Sequence, residues 1–127
     1  MNMSNKLLSL TPMLESKDVK ATMEFYTASL GFTVNKFSKD WGWLHLSKDD
    51  ISIMFALPNK HRNIPESIMS GSLYFNTENV DALWNEVKDK CKVCYPIENF
   101  DYGMREFAVY DNNGYLLQFG QNIENEK

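Results

Sequence analysis

Apolar residues recur along this chain with two different periods, and the switches between them predict its elements. Val19, Met23, Tyr26 and Leu30 fall at helical spacing and form one stripe of a helix over about 17–30. Ser16 precedes that stripe as an N-cap, and Gly31 follows it as a stop. A strand is predicted before the helix over 8–15. Three more follow near 32–38, 41–48 and 51–57, the last two joined by a turn at Lys48-Asp49-Asp50. The same order then recurs. A strand over 71–76 leads to a helix over 79–90 with its stripe on Val80, Leu83, Trp84 and Val87. Strands follow near 92–97, 104–110 and 115–120. Asp111-Asn112-Asn113-Gly114 marks the last hairpin, because Asn and Gly tolerate positive φ.

The two halves are therefore read as one pattern used twice. An offset of 61 sets Thr11 on Ser72, Met13 on Tyr74, Val19 on Val80, Met23 on Trp84 and Gly42 on Gly103. The same offset sets Trp43 on Met104 and His45 on Glu106. Two residues gained at the Asn112-Asn113 turn then set Ile53 on Leu116 and Phe55 on Gln118. Residues 58–70 carry two prolines and no period and are read as a linker between module one (8–57) and module two (71–121). His61 and Arg62 within it are expected to be solvated, and residues 122–127 to fray.

Composition changes this picture little. At 127 residues the chain makes one domain, and 43% apolar with 24% charged residues is ordinary for a soluble globule. No apolar run approaches the roughly 18 residues of a membrane span. Met1 to Leu10 lacks the apolar core of a secretory signal, so a cytoplasmic location is expected. A net charge of −4 offers no basic field for nucleic acid or for an anionic membrane surface. Cys91 and Cys94 form a C-x-x-C pair at the end of a helical pattern. A redox pair belongs at a helix start and a zinc site needs more ligands, so two reduced, partly buried thiols are expected.

The segments PMLESKDVKATMEFYTASLGFTV and YGMREFAVYDNNGYLLQFGQ, within two βαβββ modules in tandem, resemble the vicinal oxygen chelate superfamily. That group includes glyoxalase I, extradiol dioxygenases, fosfomycin-resistance enzymes and bleomycin-resistance proteins. The resemblance covers about residues 8–121 and implies an α+β fold in which curved mixed sheets enclose a small-molecule cavity, with the helices outside. In the metal-dependent members, four His and Glu side chains on four strands hold a divalent ion. Carried across, those positions are Thr11, Phe55, Ser72 and Gln118, none of which is a strong ligand. The expectation is thus a metal-free protein without a cofactor, of the bleomycin-resistance type, binding a small hydrophobic or aromatic molecule rather than catalysing a reaction. The rival is an enzyme with a shifted ligand set such as His45, Glu15 and Glu106. A third reading is an interaction or sensor module without a ligand. The resemblance also implies a homodimer.

Strand alternation gathers the candidate ligand-binding residues. Thr11, Met13 and Glu15 share one face, Ser72, Tyr74 and Asn76 another, Ile53 and Phe55 a third, and Leu116 and Gln118 a fourth. Trp41, Trp43 and His45 alternate as a possible stacking wall, and Met104 and Glu106 stand at the corresponding positions of the second half. Phe55, Met13 and Leu116 either line a cavity or fill a closed interior. Glu106 either faces inward, where it attracts a cation, or forms a salt bridge at the sheet edge. Glu98, Asp101 and Tyr102 stand where they could rim a cavity mouth.

Overall fold

The computed structural model describes residue 5, residues 8–58 and residues 68–124. Most of the expected linker, with His61 and Arg62, and the last three residues lie outside the described residues. The first half runs β1 (Met13–Glu15), α1 (Val19–Leu30), β2 (Thr33–Ser38), β3 (Trp43–Lys48) and β4 (Ile51–Ala56). The second runs β5 (Leu73–Asn76), α2 (Val80–Val87), β6 (Lys92–Phe100), β7 (Met104–Tyr110) and β8 (Leu116–Asn122). Each half closes into one four-stranded mixed sheet, in the orders β1-β4-β3-β2 and β5-β8-β7-β6. The last strand of each half returns to pair parallel with the first, and the other pairings are antiparallel. This is an α+β fold of two tandem modules.

Helix α1 starts on Asp18 rather than Ser16. The Asp18 carboxylate accepts from the Ala21 amide at 3.0 Å, while the Ser16 hydroxyl is buried 2.8 Å from Thr22 Oγ1. Gly31 ends the helix at φ 76°, a conformation in which a side chain would be strained. Helix α2 is capped likewise by Asn79, whose side chain accepts from the Ala82 amide.

Each helix covers one face of its own sheet. Under α1 lie Phe32, Leu44, Leu46, Ile53 and Phe55, with Tyr26 of the helix touching Phe32 edge-on and Phe55 at 5.1 Å. Under α2 a file of rings runs from Trp84 through Phe107 and Phe119 to Phe75, with centroids 4.8–5.2 Å apart. These residues belong to one apolar cluster that spans both halves. Burying each such side chain contributes roughly 1.5–3 kcal/mol.

The hairpin at Asp111 does more than turn the chain. Gly114 takes φ 87°, and the Asp111 carboxylate accepts from the Asn113 and Tyr115 amides at 2.8 and 2.9 Å. Its other oxygen accepts from the Tyr26 hydroxyl of α1 at 2.7 Å. The Asn112 and Asn113 side-chain amides both donate to Thr22 Oγ1, and Tyr115 donates to the Glu15 carbonyl at 2.6 Å. The tip of module two is thereby clasped to the helix and first strand of module one. No helix among the described residues is long and apolar enough to cross a membrane.

Candidate functional site

With one face of each sheet covered by its helix, the opposite faces stay open, and strand register decides which side chains they carry. In the first sheet Met13 stands beside Met54, and Met54 beside His45, while Trp43 stands beside Ala56. In the second sheet Tyr74 stands beside Gln118, Gln118 beside Ala108, and Met104 and Glu106 lie further along β7. The open faces thus hold nine of the ten candidate binding residues: Thr11, Met13, Trp43 and His45 on one, and Ser72, Tyr74, Met104, Glu106 and Gln118 on the other.

Phe55 is the exception. It pairs with Leu14 and Leu44 on the helix side, is 0% exposed and packs on Tyr26, so it belongs to the core. The register explains the error. Met13 pairs with Met54 as Tyr74 pairs with Gln118, so the counterpart of Gln118 is Met54, one residue before Phe55. By the same logic Trp43 corresponds to Glu106 rather than Met104, because β7 enters its sheet two residues later than the repeat implies. Ile53 shares the fate of Phe55, whereas Leu116 is on the open side.

With that register, the four ion positions that the resemblance implies fall on Thr11, Met54, Ser72 and Gln118. Thr11 Oγ1 lies 3.2 Å from Ser52 Oγ. The Ser72 hydroxyl donates to Gln118 Oε1 at 2.5 Å, and Gln118 Nε2 donates to Tyr95 Oη at 2.9 Å. Hydroxyls and an amide engaged with one another, plus a thioether, supply no anionic donor to offset dehydration of a hard divalent ion. These residues do not fit such an ion. The shifted set is not assembled either: among the described residues no three His, Cys, Asp or Glu side chains come together, so His45, Glu15 and Glu106 do not form a site within the chain.

Two concave regions accompany these faces. Lys36, Ser38, Trp41, Trp43 and Ala56 bound an open groove of about 690 Å³. Trp41 stands in the turn before β3, almost fully exposed, and the Trp43 and His45 rings lie 6.1 Å apart. A smaller pocket of about 260 Å³ joins the two modules, with Thr11 and Ser52 on one side and Tyr74 on the other.

Adjacent in β7, Arg105 and Glu106 point to opposite sides. Arg105 turns toward α2, where its guanidinium forks onto Asp81 at 2.9–3.2 Å and also reaches Asn99. Being exposed, this pair contributes little to stability. Glu106 turns to the open face and is 1% exposed there, accepting from the hydroxyls of Tyr74 and Tyr95. Burial, together with the bond to Glu106, holds both phenols well above the usual tyrosine range, so they act as donors at neutral pH. Tyr102, placed by sequence only near a cavity mouth, is likewise raised, by desolvation and by the nearby Glu106. Tyr95 escaped the sequence reading because bulges in β6 break the alternation that would have put it on this face. Cys91 is half-buried and Cys94 exposed, both unbridged, and burial raises the Cys91 thiol.

Similarity to known structures follows this geometry. A glyoxalase/bleomycin resistance protein/dioxygenase from Nocardioides superposes with a TM-score of 0.76 at 15% identity, over 98% of this chain and 89% of that one. The bleomycin-binding protein of bleomycin-producing Streptomyces verticillus, solved with copper(II)-bleomycin, gives 0.70 at 24% identity, over 91% and 97%. Lactoylglutathione lyase from Agrobacterium tumefaciens gives 0.68 at 14%, over 93% and 96%. At these identities the likeness is one of fold. Comparison with curated protein sequences finds no match. The family model of the Glyoxalase/Bleomycin resistance protein/Dioxygenase superfamily matches residues 11–119, nearly the whole described chain, and the protein belongs to that superfamily.

Proposed function

We propose that this chain binds a small, at least partly aromatic or hydrophobic molecule on its open faces, and does so without metal chemistry. The observation that carries this reading is the exchange of residue types at the family's ion positions. Thr11, Met54, Ser72 and Gln118 replace a set of charged or imidazole donors with neutral groups, two of them hydrogen-bonded to each other. Beside them the groove at Trp41 and Trp43 has a volume in the range of small-molecule sites and offers indole faces for stacking. The relative from Streptomyces verticillus, which shares the fold, is a bleomycin-binding protein.

The reading is tested by titrating planar aromatic compounds against tryptophan fluorescence. A compound that quenches should bind Trp41→Ala and Trp43→Phe about tenfold more weakly or worse, from lost stacking and lost buried area. Equal affinity in parent and variants would move the site elsewhere. Elemental analysis of tag-free protein dialysed without chelator should show no stoichiometric divalent ion. About one zinc, nickel, iron or manganese per chain overturns the metal-free reading and restores the enzyme.

A second copy of the chain completes the reading. Among the described residues no layer covers the open faces, and Leu10 and Trp41 are 92% and 85% exposed. Strands β2 and β6 end the two sheets with unpaired edges. A two-fold homodimer would cover such surfaces. Light scattering at micromolar concentration should return about twice the 14.8 kDa chain mass. The mass of a single chain counts against the dimer.

A further inference from the structure

The open face of the second sheet holds one buried carboxylate beside aromatic side chains. Glu106 Oε1 accepts from Tyr74 at 2.6 Å and Oε2 accepts from Tyr95. Tyr95 meets Phe100 edge-on at 5.6 Å, and Phe100 stacks on Tyr102 at 5.4 Å. Tyr74 and Tyr95 thus point their hydroxyls at the carboxylate, and Phe100 and Tyr102 continue the aromatic patch from Tyr95. Among the described residues no Lys, Arg or His pairs with Glu106. Glu98 stands beside it in register and adds a second acid at the rim.

Gly120 makes this arrangement possible. It lies on β8, between Tyr74 of β5 and Glu106 of β7. A Cβ at residue 120 would sit 2.1 Å from Tyr74 Oη, so any other residue would push Tyr74 off the carboxylate. Bare backbone at this point lets a tyrosine cross one strand to reach an acid on the next.

The chemistry of the patch selects its occupant. A buried carboxylate with no cationic partner among the described residues leaves net negative potential beside rings whose faces themselves attract cations. Both carboxylate oxygens already accept from phenols, and Tyr95 Oη accepts from Gln118. A primary ammonium needs acceptors in return for the water it loses, and here they are taken. An alkylated ammonium has few or no N–H groups to satisfy and is suited by aromatic faces beside a negative charge. The site is open to such a group, since Tyr74 and Tyr102 are 39% and 60% exposed.

We propose that the aromatic patch of Tyr74, Tyr95, Phe100 and Tyr102 beside the Glu106 carboxylate binds the alkylated ammonium group of an organic cation. This rests on the binding function proposed above and narrows its ligand class. The probe is choline, compared by calorimetry with its uncharged isostere 3,3-dimethylbutan-1-ol and with the primary amine ethanolamine, using the full chain. Choline should bind at least about tenfold more tightly than either. Tyr102→Leu, at an exposed position that the fold tolerates, should weaken choline about tenfold, and Glu106→Gln by at least as much. Gly120→Ala, which displaces Tyr74 without removing it, should also weaken choline. Choline binding no tighter than the alcohol, matched by ethanolamine, or unmoved by Tyr102→Leu and Gly120→Ala overturns the proposal. If planar aromatic compounds still bind the groove at Trp41 and Trp43 while choline fails, only the ammonium inference falls. If both probes fail, the binding function falls with it.

Discussion

Phe55→Ala should cost about 3–5 kcal/mol of folding stability, the largest effect expected of any single truncation on the first sheet. The ring is fully buried on β4, an inner strand of the sheet, with Leu44 and Leu14 beside it and Tyr26 of the helix across from it. Removing it leaves a cavity beneath α1 that rigid sheet neighbours cannot close. A domain of this size has a total stability of only about 5–15 kcal/mol, so such a loss brings the variant near unfolding at room temperature. Met54→Ala, one residue earlier and on the open face, should cost less than half as much. Urea unfolding of both variants against the parent is the measurement. Near-equal losses would mean that β4 presents its other face to the helix, and that Phe55 lines the open side after all.

That contrast shows how far the sequence could be read. The order of elements was legible because each depends on local patterns: the helical stripes, Gly31 after α1, and the Asn-Gly hairpin. The family resemblance was legible because that order occurs twice. What failed was register in one strand. Ile53, Met54, Phe55 and Ala56 are all apolar, so nothing in the residue types marks the face that meets the helix. A slip of one position then exchanges the two faces. The repeat itself gave false help, because the extra residues of the second half lie partly in the bulged β6 and not only at the Asn112-Asn113 turn. In the second sheet the polar residues Ser72, Gln118 and Glu106 marked the open face correctly. The tyrosines that hold Glu106 depend on contacts across three strands, and no local pattern records those. The N-cap was misplaced by two residues for a similar reason: Ser16 and Asp18 are both good caps by type, and only the contact with Thr22 assigns Ser16 elsewhere.

Tyr26→Phe should cost about 1.5–3 kcal/mol near pH 7, and the loss should shrink as the pH falls. The substitution keeps the ring and its packing and removes one hydroxyl, whose bond goes to the buried Asp111 carboxylate. Hydrogen bonds to charged groups contribute about that much, and an acceptor stripped of its donor in the interior bears the full desolvation penalty. Burial raises the Asp111 carboxyl above the ordinary aspartate value, against the lowering effect of the bonds from Tyr26, Tyr115 and Asn113. A carboxyl raised on folding stabilises the fold in full below its unfolded pKa, and that contribution is lost as the pH rises through the folded value. The Tyr26 bond favours the charged carboxylate, so deleting it raises the folded value further and the loss is greatest where Asp111 is ionised. The penalty is therefore complete above the variant's raised pKa. It falls as the pH drops from the variant's value to the parent's, and below the parent's it is that of a neutral hydrogen bond, about 1 kcal/mol. Urea unfolding of parent and variant in steps from about pH 8 down to the lowest pH at which the parent stays folded measures the difference at each pH, which removes acid effects common to both. A loss that stays constant over the whole range would show that Asp111 does not hold the charge that Tyr26 serves. The clasp between the modules would then rest on Asn112, Asn113 and Thr22 instead, whose neutral hydrogen bonds do not titrate in this range.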